Sequence, residues 1–128
     1  MPRLRSLLSQ SVVVVLAMPM LALAEPSCDD PAYESQAKQN ACAELRYRAA
    51  DLELNRAYKT LVAQLPSKDL PRLRAEQRAW LKALEPGCSE PLGPRHQAGN
   101  MWAMEFYDCL AQATAHRTKA LAKWAKPK

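Results

Sequence analysis

Ala50-Asp51-Leu52-Glu53-Leu54-Asn55-Arg56-Ala57-Tyr58, a break at Pro66-Ser67, and then Leu73-Arg74-Ala75-Glu76-Gln77-Arg78-Ala79-Trp80-Leu81 decide how this chain folds. Leu54, Tyr58, Leu61 and Leu65 recur three or four residues apart, as do Leu70, Leu73, Gln77, Trp80 and Leu84. That period belongs to a helix with one buried face. The spacing predicts two helices that reverse around Pro66, Ser67 and Asp69 and pack as an antiparallel pair.

Upstream, Cys42, Leu45 and Ala49 extend the first stripe, and Asp30-Pro31 supplies a capping carboxylate followed by a residue pre-set for the first turn. The first helix is expected from about Pro31 to Leu65, with fraying before Gln36. Ser67 or Asp69 caps the second helix, Pro71 is tolerated in its first turn, and Pro86-Gly87 is expected to stop it just before Cys88. Ser89 to Gly99 reads as a loop punctuated by Pro91, Gly93, Pro94 and Gly99. Asn100 then caps a third helix reaching about Ala125, with Trp102, Phe106, Cys109 or Leu110, Ala113, Leu121 and Trp124 inward. No strand-like alternation occurs. The predicted fold is all-α, a three-helix up-down-up bundle.

Residues 1–24 stand apart. Arg3 and Arg5 precede an apolar run from Leu7 to Leu23, and Ala22-Leu23-Ala24 forms the small-x-small site of a secretory signal peptide. Cleavage after Ala24 leaves 104 of the 128 residues, one modest helical domain over 25–128 with 16 basic and 13 acidic groups. The signs alternate along the helices, Glu44 with Arg48 and Arg72 with Glu76, so a solvated helix face accounts for the basic excess better than nucleic-acid binding. A periplasmic or secreted product with no stable membrane insertion follows.

Cys28, Cys42, Cys88 and Cys109 all lie in the exported part, and an even count in a small exported chain reads as two disulfides. No two are close neighbours, which argues against a zinc site and against C-x-x-C redox chemistry. Three connectivities exist. Aligning the starts of the first and third helices puts Cys42 and Cys109 at similar heights, which favours Cys42–Cys109 with Cys28–Cys88; Cys42–Cys88 is the alternative.

Asn40-x-Cys42, Ala50-Asp51-x-Glu53-Leu54-Asn55-x-x-Tyr58-x-x-Leu61 and Leu73-Arg74-x-x-Gln77-Arg78-Ala79-Trp80-Leu81 form an ordered set of motifs. Cys88, Gly99-Asn100-Met101, Cys109-Leu110-Ala111 and Thr114-x-x-Arg117-x-x-x-Leu121 continue it. Together they resemble the LprI-type lysozyme-inhibitor family from about Cys28 to Trp124. The resemblance implies a small, exported, disulfide-bonded helical protein, not an enzyme, acting on a protein partner such as lysozyme. Leu84-Glu85-Pro86-Gly87 and the loop with Pro91, Pro94, Arg95 and His96 depart from the family's usual pattern.

No nucleophile, base and orienting group can be assembled, the glycines are too few for a phosphate loop, and no cofactor is implied. Asp29 and Asp30 read as helix caps. Trp80, Trp102 and Trp124 read as core, His116 as solvated, and Tyr33, Tyr47 and Tyr107 as partly exposed. Asp51 and Arg117 are expected to pair across facing helices. Arg95-His96, on a Pro-framed loop, is the candidate partner-binding element. Through the resemblance it becomes a plug for the two carboxylates of a lysozyme cleft. Lysozymes are commonly basic, so a net charge of +3 gives no long-range attraction. The competing function is a structural or stress-related envelope protein with no enzyme target.

Overall fold

A computed structural model describes Cys28 and residues 35–124; the leader at 1–24, the Asp30-Pro31 helix start and Tyr33 lie outside the described residues. Helix α1 spans Gln36–Gln64 without a Gly or Pro. Ser35 precedes it in an extended conformation, and its Oγ accepts the Lys38 amide at 3.3 Å, satisfying one donor that a helix start leaves free. Leu65 leaves helical geometry at ψ 143°, as the residue before a proline does.

Helix α2 spans Leu70–Ser89, with Pro71 in its first turn. It does not stop at Pro86-Gly87 but runs through both. Pro86 deletes only the bond to the Lys82 carbonyl, near the helix end and on an exposed face, while burial of Cys88 on the inner face holds the last turn. Helix α3 spans Trp102–Trp124. Asn100 does not cap it. Its carbonyl accepts Asn40 Nδ2 at 3.0 Å, and the Met101 carbonyl takes the first helical amide, that of Glu105, at 3.1 Å.

α1 and α3 run parallel, with Asn40 level with Asn100, Arg46 bonded to Asp108 at 2.8 Å and Tyr47 against Tyr107. α2 is antiparallel to both, giving the up-down-up order. The closest backbone approach is between α1 and α3, not across the α1–α2 hairpin that the sequence foregrounds. Ala43 and Thr114, both wholly buried, are small enough to permit it. α2 instead meets its neighbours through the long side chains of Leu73, Gln77, Trp80 and Leu84, which hold it further off.

The core is two apolar clusters. Leu54, Leu61, Leu73 and Leu121 form one, and Leu84, Cys88 and Leu110 form the other; half-buried Trp80 packs against both. Buried Gln77 lies between them, its Oε1 accepting Arg117 Nε at 2.9 Å. Arg117 thus pairs with α2, not with Asp51, whose carboxylate accepts Asn55 Nδ2 at 2.9 Å along α1. The α1–α3 register keeps Arg117 from Asp51: with Arg46 facing Asp108 and Tyr47 facing Tyr107, Arg117 stands opposite residues 55–57, more than a turn above Asp51. Gln77→Ala would leave a half-buried guanidinium without its acceptor. We expect a loss of about 1–3 kcal/mol, read by urea unfolding.

Two disulfides are present, Cys28–Cys42 and Cys88–Cys109, each with Cα atoms 5.7 Å apart. Neither expected pairing is found. Asn40, not Pro31, is the α1 residue level with Asn100, so the starts of the first and third helices are not aligned as expected. The same register puts Cys42 about six residues, or ~9 Å along the axis, below Cys109, beyond the reach of a disulfide. The continuation of α2 through Pro86 then carries Cys88 inward to Cys109, and Cys28, only 14 residues upstream, closes onto Cys42.

Candidate functional site

The loop between α2 and α3 is built from two turns. A single 3-10 turn, Glu90–Leu92, continues from α2, and the Gly93 amide donates to the Glu90 carbonyl at 3.2 Å. Gly93 reverses the chain at φ 72°, a conformation that side chains with a Cβ resist. Pro94 opens the second turn, in which the Gln97 amide donates to the Pro94 carbonyl at 2.9 Å. Gly99, also at φ 72°, returns the chain to α3.

Three contacts brace the base of this loop. Cys88–Cys109 joins the helices on either side of it. Trp102 Nε1 donates to the Gly93 carbonyl at 3.0 Å, and Asn40 reaches from α1 to the Asn100 carbonyl. Arg95 and His96 lie in the second turn, both exposed. The Arg95 guanidinium is 5.7 Å from the Trp102 ring, and His96 Nε2 is 3.2 Å from Gln97 Nε2. The arrangement presents a cation and an imidazole on a braced turn, groups suited to carboxylate oxygens. Asn40 was visible in the sequence only as part of the Asn40-x-Cys42 motif, and the bracing role of Trp102 left no sequence signal.

An aromatic row leads from the loop to α1. Trp102 stacks on Phe106 at 4.7 Å, Phe106 lies 5.6 Å from Tyr107, and Tyr107 stacks on Tyr47 at 6.1 Å between ring centroids. Burial, and then the charges of Asp51 and Glu85 and the neighbouring Tyr107, push the Tyr47 phenol above its ordinary value of 10.0. The folded chain therefore keeps this proton at a pH where the unfolded chain has lost it. The resulting stability is intact below about pH 10 and falls as pH rises past it. Spectrophotometric titration should show the Tyr47 phenol ionising late, and Tyr47→Phe should flatten the alkaline fall in stability.

Charge is divided unevenly along the bundle. The half that bears the loop, residues 35–51 and 82–112, carries five basic and six acidic groups. Among the described residues no group of three His, Cys, Asp or Glu side chains is placed to hold a metal ion, and no helix is long and apolar enough to cross a membrane. Two disulfides suit an oxidising, non-cytoplasmic compartment.

These features define a small three-helix domain closed by two crosslinks, with a braced loop at one end. The chain belongs to the LprI lysozyme-inhibitor family: the family model described as "Lysozyme inhibitor LprI" matches residues 28–121, from the first cysteine to the last core leucine. It is also similar to an uncharacterized protein of Rhizobium meliloti, 36% identical over 110 residues that cover 76% of this chain and 77% of that protein. No solved structure matches it.

Proposed function

We propose that this chain, cleaved after Ala24, is a periplasmic or secreted single-domain inhibitor that binds lysozyme through the loop over residues 90–101 and performs no chemistry of its own. The observation that carries this reading is the family match over residues 28–121, which takes in both disulfides and the whole loop. Arg95 and His96 are the groups that engage the carboxylates of the cleft. The bracing by Trp102, Asn40 and Cys88–Cys109 reduces the ordering that binding would otherwise cost. With six acidic groups against five basic ones, the loop-bearing half does not repel a basic enzyme, although the chain as a whole is basic.

The test is binding of the oxidised protein to a panel of immobilised lysozymes. Arg95→Ala combined with His96→Ala is expected to weaken binding at least ~10-fold, since each charge-assisted hydrogen bond is worth about 1.5–3 kcal/mol. Unchanged affinity would remove the loop from the interface. A protein that binds no lysozyme would instead serve the envelope in a structural role.

A further inference from the structure

The half of the bundle away from the loop, residues 52–81 and 113–124, has the opposite character. Nine basic groups face only three acidic ones, Glu53, Asp69 and Glu76. The three helices bring these cations together at one end, because the close of α1, the start of α2 and the close of α3 meet there. Arg56 is bonded to Glu53 at 2.7 Å, Arg72 lies 4.0 Å from Glu76, and Arg117 is held by Gln77. Among the described residues the other six cations, Lys59, Lys68, Arg74, Arg78, Lys119 and Lys123, make no ion pair and are all exposed. In the loop-bearing half Arg46 and Arg48 are each paired with an acid, and the five basic groups there are outnumbered by six acidic ones.

We propose that this end of the bundle docks onto an anionic lipid surface. Unpaired, exposed cations contributed by all three helices around one end suit a plane of mobile phosphate headgroups better than one rigid ligand. Trp124 strengthens the assignment. It is half-buried at the same end with the Arg72 guanidinium 4.3 Å from its ring centroid, an aromatic beside a cation of the kind that settles at the water–headgroup boundary. Docking there leaves the loop half, with its near-balanced charge, facing away from the membrane. Docking at this end does not require lysozyme as the partner.

The experiment is co-sedimentation of the oxidised protein, recovered from an export host, with vesicles of phosphatidylglycerol and phosphatidylcholine in equal parts, against phosphatidylcholine alone and duplex DNA. The expected result is association with the anionic vesicles only, declining as salt shortens the range of the attraction. Each cation near such a surface is worth about 1 kcal/mol, or roughly fivefold in partition. The variant R74Q/R78Q/K119Q/K123Q should therefore lose at least ~100-fold. All four positions are exposed, and an unchanged circular dichroism spectrum shows that the fold is kept. K38Q/K82Q, in the loop-bearing half, should bind like the parent. Equal binding to neutral vesicles, DNA binding as tight as vesicle binding, or retention by the fourfold variant would each overturn the proposal.

Discussion

Replacing Cys88 and Cys109 together by serine is expected to cost about 3 kcal/mol and to lower the unfolding midpoint by more than about 10 °C. The bridge closes a segment of 21 residues, and releasing that closure in the unfolded chain accounts for the whole of this figure in the chain-entropy model. The bridge also ties the last turn of α2, which the fold extends past Pro86, to the first third of α3. Without it that turn loses its anchor and the loop loses one of its three braces. Cys88 is itself 96% buried, so a serine hydroxyl there adds a desolvation cost. Cys28–Cys42 closes 14 residues and has a similar entropic value, but it joins α1 to the segment before it and leaves the loop's bracing untouched. Reduction of the first bridge should thus loosen loop 90–101, while reduction of the second should not. Thermal and urea unfolding of C88S/C109S beside C28S/C42S measures the first difference, and hydrogen exchange of the Gly93 and Gln97 amides measures the second.

Leu73→Ala should be the most damaging single core substitution, with a loss of about 2–5 kcal/mol. Leu73 is wholly buried where the three helices meet, clustered with Leu54 and Leu61 of α1 and Leu121 of α3. α2 stands off from the closely packed α1–α3 pair, and its long side chains fill the intervening space. Truncating one therefore opens a cavity that the neighbours cannot close by small shifts. Leu81→Ala, just over two turns along the same helix but more than half exposed, should fall within about 0.5 kcal/mol of the parent. Urea unfolding of the two variants separates these expectations, and equal losses would show that α2 is not packed as described.

The helices were legible because Leu54, Tyr58, Leu61 and Leu65, and then Leu73, Gln77, Trp80 and Leu84, repeat at a period that only a helix converts into one face. The end of α2 was not. Pro86-Gly87 reads as a stop, yet a proline near a helix end deletes one exposed hydrogen bond, and tertiary burial of Cys88 outweighs that local preference. Disulfide connectivity was illegible for a related reason. It depends on axial register to within a turn, and register is set by contacts such as Asn40 with Asn100 and Arg46 with Asp108, which carry no pattern in sequence. The same register moved Arg117 from Asp51 to Gln77. The loop was legible as a loop from its prolines and glycines, and Arg95 and His96 are exposed in it as read. What the sequence hid is how firmly the loop is held, because the bracing groups come from α1 and α3.

Titration of lysozyme activity with the oxidised protein, before and after reduction, is the most direct test of the central claim that a crosslinked bundle inhibits by presenting a braced loop. The account predicts saturable inhibition of at least one lysozyme in a panel, with no product formed from any substrate by the protein alone, and loss of that inhibition when Cys88–Cys109 is reduced. Inhibition that persists undiminished in the fully reduced protein, or its absence across the whole panel, would contradict it.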